Sequence, residues 1–322
     1  MFSPQCQGAA RKVIIDTDTG SDDAAALMLA ASDRSLDILG VTVLYGNVPL
    51  KGAADNALMT LEVCGSAAPV YIGASRPLCR ERPETISVHG VDGMGDQGLI
   101  HPARRPESKD AVDFILDSVR KNPGEVEIIA LGPLTDIALA VRKDSDAMKL
   151  VRRIWAMGTT GFGPGNASPV AEFNVYVDPD AYDEVLRAGL PMTIVGLDCM
   201  KEGTRLDARD MEALARGNVR GRFMSRAFTK LFALYRGMGQ DMGVPDALAV
   251  AAVIWPEYVL ETVPCHGEVC VGDCPALGQV VLYRKGAVYE AMPKIGTYNL
   301  EVVSKIDAGL YKRNFMRTLT ER

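Results

Sequence analysis

The chain has 322 residues, of which 48% are hydrophobic, and carries a formal net charge of −6 at pH 7. Its length allows a large buried core, in one big α/β domain or two smaller ones. The acidic balance and the absence of a Lys/Arg-rich run argue against nucleic acid as a partner. The longest apolar stretch, ALAVAAVIW at 247–255, is far shorter than the ~18 residues that cross a bilayer, so no membrane partner is expected.

The first residues, MFSPQCQGAARK, lack the apolar run of a secretion signal, and we expect a cytoplasmic protein. The chain contains seven cysteines, an odd number that does not indicate a disulfide framework. Cys265, Cys270 and Cys274, with His266, could form a zinc site, but their spacing matches no common pattern. Buried or incidental thiols are the preferred interpretation.

A strand followed by a helix recurs along most of the chain. Strands are predicted, in chain order, at KVIID, LDILGVTVLYG, EVEIIALG, RRIWAMG and PMTIVGLD. Helices are predicted at DDAAALMLAAS, AADNALMTLEVCG, PLTDIALAVRKD and PDAYDEVLRAG. The strands are continuous Val/Ile/Leu runs, as expected when helices cover both faces of a parallel sheet.

The last eighty residues have a different pattern. QVVLYRKGAVYEAMPKI and YNLEVVSKID are typical of β-hairpins, with Gly286 in the expected turn. No linker or internal repeat interrupts the chain. The predicted fold is therefore a single α/β domain over residues 1–322. It has an open, mostly parallel sheet flanked by helices on both faces, with antiparallel C-terminal strands.

The segment VIIDTDTGSDDAAAL, residues 13–27, places four carboxylates directly after the first strand: Asp16, Asp18, Asp22 and Asp23. Gly20 suits a tight turn, and Ser21 or Asp22 is the expected N-cap of the next helix. The helix N-terminus favours negative charge, which accounts for one or two of these acids but not for four. A divalent cation would turn their mutual repulsion into coordination.

Oxygen ligands without a nearby Cys or His point to a hard ion, Ca²⁺ or Mg²⁺. An EF-hand loop counted from Asp16 would place Ser21 where Gly is required and Leu27 where Glu is required, so that pattern fails. A phosphatase of the haloacid dehalogenase type also begins with a strand and a DxD sequence. Its fit is imperfect because Gly20 occupies the fifth position, and it remains an alternative.

DTDTGSDDAAAL resembles the N-terminal signature of the nucleoside hydrolases, the inosine–uridine-preferring family, usually written DxDPGxDDAxAL. Thr19 replaces the usual proline. Further segments of the family pattern follow in order along nearly the whole chain. They are TVLYGNV, VHGVDGMGD, ALGPLTDIALA, GNASPVAEFNVYVDPDA and VPDALAV.

The resemblance implies a nucleoside hydrolase-like fold and hydrolysis of the N-glycosidic bond of a ribonucleoside or a related ribosyl compound. Ribose and free base would be released through an oxocarbenium-like ribosyl transition state. The implied cofactor is Ca²⁺, and its bound water would be the nucleophile, with Asp18 as general base. A ribose- or nucleoside-binding protein with little turnover, on the same scaffold, is the alternative from another class. Members of the family are dimers or tetramers, so a homo-oligomer is expected by analogy.

The resemblance also implies the role of each site residue. The metal ligands would be Asp18, Asp23, the carbonyl of Leu131 and Asp246. Asp16 would be an acceptor that steadies the site. The substrate-binding residues would be Asp22, Asn47, Asn166, Glu172 and Asn174 at the ribose hydroxyls, Phe173 against the sugar and His89 near the base pocket.

One position departs from the family pattern. Inosine–uridine-preferring members have a histidine immediately before the last aspartate ligand, where it protonates the departing base, and purine-specific members have a tryptophan. Here the residue is Pro245, which can neither donate a proton nor stack as an indole does. Tyr235, Arg236, His89 or a solvent channel are the candidates for that step, and the preferred base stays open.

Overall fold

The computed structural model describes residues 10–81, 83, 87–291 and 297–321. One nine-stranded sheet has the strand order β3-β2-β1-β4-β5-β6-β9-β7-β8. The strands are β1 (Arg11–Thr17), β2 (Leu36–Val43), β3 (Val70–Ile72), β4 (Glu127–Ala130), β5 (Arg153–Met157), β6 (Met192–Val195), β7 (Val259–Val269), β8 (Val280–Arg284) and β9 (Leu300–Ile306).

Helices lie between and after the strands. They are α1 (Ser21–Ser32), α2 (Leu50–Val63), α3 (Ala111–Lys121), α4 (Thr135–Lys143), α5 (Ser145–Met148), α6 (Phe173–Val177), α7 (Pro179–Arg187), α8 (Ala208–Arg216), α9 (Val219–Ala227), α10 (Thr229–Gly237), α11 (Pro245–Ile254) and α12 (Ala308–Thr320). Short 3₁₀ turns occur at Leu197–Cys199, Glu202–Thr204, Pro256–Tyr258 and Val288–Ala291.

The first six strands run parallel, and β9 extends this arrangement by pairing parallel with β6. Alternate residues of β1 pack into hydrophobic clusters on opposite faces of the sheet: Val13 and Ile15 into one, Ile14 into the other. A strand buried on both faces must be apolar at every position, which explains the continuous apolar run of its sequence. The predicted fold class, an open and mostly parallel sheet between helical layers, is confirmed.

The strand order reverses direction at β1. The chain builds β2 and β3 on one side of β1 and then returns to place β4 on the other side. Loops that leave β1 and β4 at their carboxyl ends therefore diverge and open a crevice, the usual ligand position in this class of sheet. The Leu131 amide donates to the Asp16 carbonyl at 2.7 Å, which joins the two strand ends at that crevice.

The apolar segment at 247–255 forms most of α11, which packs against α1 inside the larger hydrophobic cluster. Every α11 residue from Asp246 to Ile254 is buried. This packing explains a helix that is apolar on all sides. Within the described part of the chain, no helix is both long and apolar enough to cross a membrane.

The antiparallel strands near the C-terminus are present, but their partners differ from the predicted hairpins. Gly286, with φ of +80°, does lie in a turn after β8. However, β8 and β9 both pair antiparallel with β7 rather than with each other. The sequence of β7, VLETVPCHGEV, was not predicted as a strand because Pro264 and its polar residues conceal the pattern. Residues 292–296, within the predicted hairpin, lie outside the described ones.

The residues of the possible zinc site lie around the end of β7. Cys265 is buried in the strand, Cys270 is half-buried and Cys274 is exposed. The two ring nitrogens of His266 contact the Thr297 carbonyl and the Glu268 carboxylate at 2.9 and 3.1 Å. Among the described residues, the group with metal-binding geometry lies elsewhere, at the crevice. This agrees with the interpretation of these cysteines as ordinary thiols.

Candidate active site

The loop between β1 and α1 forms the floor of the crevice. Helix α1 begins at Ser21, so the cap residue is Gly20, and the expected cap at Ser21 or Asp22 is wrong by one or two positions. The side chain of Asp23 takes over the capping role by accepting the Gly20 amide at 2.8 Å and the Thr17 hydroxyl at 2.6 Å. A Cβ on Gly20 would stand 2.9 Å from the side-chain nitrogen Nδ2 of Asn47. The turn therefore needs glycine so that its backbone can approach the Asn47 side chain.

Asp18 is the first residue of this loop and is 1% exposed. Its Oδ2 accepts the Asn47 amide at 2.6 Å, whereas its Oδ1 has no hydrogen-bond partner in the protein. A buried carboxylate oxygen without a partner is costly, and it indicates a ligand that the protein itself does not supply.

Two glycines make room for the Asp18 carboxylate. A Cβ on Gly46 would stand 1.9 Å from Asp18 Oδ2, and a Cβ on Gly132 would stand 2.9 Å from Oδ1. Neither backbone could approach so closely with a side chain present. The two glycines therefore fix the position of this carboxylate from opposite sides.

We expect Gly46→Ala to lower kcat by about 10²-fold, because the added methyl group would displace the Asp18 carboxylate. The matched control is Gly272→Ala, where an added Cβ meets no atom within 4 Å. Steady-state kinetics and melting curves of both variants provide the check. Wild-type activity in folded Gly46→Ala would show that the position of Asp18 does not matter for turnover.

Three carboxylates form the group with metal-binding geometry: Asp22, Asp23 and Asp246. One oxygen of each lies within 4.8 Å of the other two, and all three residues are buried. Two of them begin α1 and the third begins α11, so the packing of these helices brings the two ends of the group together. Asp23 and Asp246 are predicted ligands, whereas Asp22 was predicted to bind ribose.

The other two predicted ligands lie apart from this group. Asp18 is outside it, although the charges of Asp22 and Asp23 act on Asp18. The carbonyl of Leu131 accepts a hydrogen bond from the Asn174 side chain at 2.6 Å. The coordination of a metal by Asp18 and Leu131 stays a prediction.

Burial gives the carboxylates of this floor an unusual proton affinity. It raises the pKa of Asp22 and of Asp23 to about 6, and Asp22 adds to the effect on Asp23. It raises the pKa of Asp18 and Asp246 well above the ordinary range, with further contributions from their acidic neighbours. A bound cation would reverse this preference by stabilising the ionised forms.

Four of the predicted substrate-binding residues lie at or next to α6: Asn166, Glu172, Phe173 and Asn174. Glu172 caps α6 by accepting the Asn174 amide at 3.0 Å and the Val175 amide at 3.3 Å, and burial raises its pKa to about 7. The Asn166 side chain accepts the Phe173 amide at 2.9 Å and so ties its loop to the same helix. These contacts hold the wall in shape before any ligand binds.

His89 reaches the floor from the loop after β3. Its Nδ1 lies 2.8 Å from the Ser21 hydroxyl and its Nε2 lies 3.4 Å from Asp22 Oδ1. Burial lowers the pKa of His89 to about 4, with Asp23 opposing the shift. His89 is therefore a neutral imidazole at pH 7, placed beside the aspartates.

Asp16 lies deeper than the other acids. Its Oδ1 accepts the Thr42 hydroxyl at 2.6 Å. Burial and the charge of Asp136, a residue that the sequence did not single out, raise the pKa of Asp16 well above its ordinary value. The predicted steadying role of Asp16 is consistent with this position beneath the site.

A cavity of about 1400 Å³ opens above the floor, large enough for a nucleoside. Nine of the predicted site residues line it: Asp22, Asn47, His89, Leu131, Asn166, Glu172, Phe173, Asn174 and Asp246. Asp18 and Asp23 lie below its surface. The remaining wall contains residues that sequence motifs did not reveal, among them Met200, Lys201, Arg205 and Leu231.

The residues that could assist the departing base differ in whether they line the cavity. Pro245 and Tyr235 line the cavity, as does His89. Arg236 is exposed, pairs with Asp241 at 3.2 Å and is not among the lining residues. This geometry gives no support to Arg236 and leaves Tyr235, His89 and a solvent channel as candidates.

A mostly parallel sheet with a group of buried aspartates at its switch point suits a cation and a small-molecule ligand. Comparison with known proteins identifies the family of the chain. Residues 13–313 match the model of the inosine-uridine preferring nucleoside hydrolase family. The chain is 40% identical to uridine nucleosidase 1 of Arabidopsis thaliana over 231 residues, 71% of this chain and 68% of the relative. It is 32% identical over 294 residues to the pyrimidine-specific ribonucleoside hydrolase RihB of Escherichia coli (strain SE11), 89% of this chain and 92% of that one.

A solved plant nucleoside hydrolase, the PpNRh1 enzyme, superposes with a TM-score of 0.89 at 30% identity, covering 97% of this chain and 99% of the other. The chain belongs to the nucleoside hydrolase family, and it is an N-glycosyl hydrolase. The resemblance based on its sequence segments is confirmed.

Proposed function

We propose that the chain hydrolyses the N-glycosidic bond of a ribonucleoside, releasing ribose and free base, with Ca²⁺ as its cofactor. One observation supports this most directly: buried Asp22, Asp23 and Asp246 converge at the floor of a nucleoside-sized cavity, next to an Asp18 oxygen without a partner. Such a floor needs a cation, and the cavity above it suits a sugar with an attached base.

The donor set fits Ca²⁺. All candidate ligands are carboxylate or carbonyl oxygens, which hard cations prefer. Ca²⁺ binds oxygens at about 2.3–2.6 Å, so oxygens on one ion stand up to about 5 Å apart. The 4.8 Å limit within the aspartate group is compatible with that spacing. When bound, the ion would orient ribose hydroxyls and lower the pKa of a water molecule.

Residues of the chain would stabilise the transition state, position the sugar and accept the proton. Breaking the glycosidic bond develops positive charge on the ribose, and the acids of the floor supply negative potential there. The Asn47 side chain donates to Asp23 at 3.0 Å and the Asn174 side chain donates to the Leu131 carbonyl at 2.6 Å. Both residues line the cavity and would position the sugar. Asp18 would accept a proton from the attacking water, because its Oδ1 is free to do so.

The names of two relatives, a uridine nucleosidase and a pyrimidine-specific hydrolase, suggest uridine as the first substrate. A reducing-sugar assay on a panel of nucleosides and p-nitrophenyl riboside tests the proposal. Ribose release supports it. Tight ribose binding without turnover would support the alternative of a binding protein. Phosphate release from a phosphorylated substrate would revive the phosphatase alternative, which family membership otherwise leaves without support.

Three further expectations accompany this function. A single domain, a cytoplasmic location and a homo-oligomeric state stay predictions, as does the absence of a nucleic-acid partner. Size-exclusion chromatography with light scattering would measure the oligomeric state directly.

A further inference from the structure

The wall of the cavity above α11 is apolar and belongs mainly to α10. Leu231, Leu234 and Tyr235 project from it into the cavity, and Met200 faces them. Flat apolar surface of this kind suits a planar heterocycle, whereas the polar floor suits a sugar. The base of a bound nucleoside would therefore lie against α10, beside Pro245 at the start of α11.

The hydroxyl of Tyr235 lies close to this junction. It is 3.8 Å from the Met200 sulfur, and a Cβ on Gly243 would stand 3.2 Å from it. Burial is the main reason that the pKa of Tyr235 is raised; Arg205 opposes the shift and Asp22 adds to it. The phenol thus remains protonated at neutral pH, and its hydroxyl donates to the Met200 sulfur.

Arg205 stands over the ring of Tyr235, with its guanidinium carbon 5.5 Å from the ring centroid. The segment that carries Arg205 is fixed by a pair of hydrogen bonds between Leu206 and Met242, at 2.8 and 3.0 Å. Its Nη1 donates to the Asp241 carbonyl at 2.9 Å. The Asp241 carboxylate pairs with Arg236, whereas Arg205 forms no ion pair with a described residue and lines the cavity.

The charged lining residues differ between the floor and the wall. Asp22 and Asp246 lie at the floor, whereas Arg205 lies on the wall, as do Lys201 and the nearby Asp198, whose charges interact. Heterolysis of a glycosidic bond develops charges in the same order, positive on the ribose and negative on the base. A fixed cation beside the base would stabilise that negative charge without proton transfer.

We propose that Arg205, supported by the ring of Tyr235, stabilises the departing base as an anion and selects bases that present carbonyl oxygens, such as uracil. This inference rests on the proposed function. The water oxygen bonds to C1′, the glycosidic electron pair passes to the base nitrogen, and Asp18 takes the proton of the water. The base leaves as an anion and is later protonated by solvent. Because the guanidinium only donates hydrogen bonds, an exocyclic amine in its place would be rejected.

The test compares Arg205→Met with wild type on uridine, cytidine and p-nitrophenyl riboside. Arg236→Met is the matched control. Arg236 also contacts Asp241, but it is exposed and does not line the cavity. We expect Arg205→Met to lower kcat/KM on uridine about 10–10²-fold, the typical worth of a charge-assisted hydrogen bond. On p-nitrophenyl riboside, whose leaving group needs little help, the loss should be under about threefold. The preference for uridine over cytidine should shrink in parallel.

Arg205→Lys retains the charge and should recover part of the uridine activity, which a purely structural role would not predict. An equal loss on uridine and p-nitrophenyl riboside, or unchanged uridine activity in Arg205→Met, would overturn the inference. If the wild type hydrolyses p-nitrophenyl riboside and purine nucleosides but not uridine, base selection is wrong while hydrolysis stands. A wild type inactive on every riboside would refute the proposed function itself, and this inference with it.

Discussion

Replacing Asp18 by asparagine is expected to lower kcat on a ribonucleoside by about 10²–10⁴-fold, the usual contribution of a general base. Asparagine keeps the size of the side chain and one oxygen but removes the proton acceptor. The Asn47 amide can still donate to that oxygen, so the loop should keep its shape. KM should change less than kcat, because the residues expected to hold the sugar are untouched. Steady-state kinetics with a reducing-sugar assay measure both constants.

The matched control is Asp37→Asn, which makes the same chemical change at an exposed position on β2. Its kcat should equal that of the wild type. A melting curve of Asp18→Asn in the presence of Ca²⁺ separates a catalytic loss from unfolding. Near-normal turnover in folded Asp18→Asn would assign the base to another residue, and Asp22, which lines the cavity, would be examined next.

The proximity of Asp18, Asp22 and Asp23 could be predicted from the sequence for a physical reason. These acids follow β1 within one short loop, so their proximity in space is already set by their proximity in the chain. Asp246 is more than two hundred residues away, and only the resemblance of VPDALAV to a family segment connected it to this loop. The packing of α1 against α11 then supplies the contact that no local pattern encodes.

The cavity wall above the floor was not predictable in the same way. Arg205 is one arginine among many, and the paired backbones of Leu206 and Met242 bring it to Tyr235 from a distant point in the chain. Likewise, β7 escaped prediction because Pro264 and its polar neighbours hide a strand whose pairing is set by β8 and β9. Contacts between segments far apart in sequence decided each of these features.

Removing the cation is expected to abolish turnover and to destabilise the fold, most strongly at neutral pH. Without an ion, burial holds the pKa of Asp22 and Asp23 at about 6, above the ordinary value of 3.8. A raised pKa means that the fold prefers the protonated acids. The free energy of unfolding that the protonated Asp22 and Asp23 contribute is therefore fully present below a pH of about 4 and is lost as the pH rises through about 6. The melting temperature of chelator-treated protein should fall over this interval.

Adding Ca²⁺ should reverse that trend, because the ion stabilises the ionised carboxylates and binds the folded state alone. At a concentration of about 1,000 Kd the gain is about 4 kcal/mol, equivalent to a rise in melting temperature of roughly 6 °C for a chain of this size. The gain should shrink as the pH falls toward 4, where protons compete with the ion for the same oxygens.

Asp246→Asn removes one carboxylate charge from the group and should reduce the stabilisation by Ca²⁺, whereas Asp37→Asn should not. Calorimetry across this pH range, with and without chelator, measures the melting temperature of each variant and its rise on Ca²⁺ binding. If Ca²⁺ does not change the melting temperature at pH 7 and elemental analysis finds no bound metal, the cation has no part in the mechanism. The buried acids of the floor would then be stabilised by sharing protons.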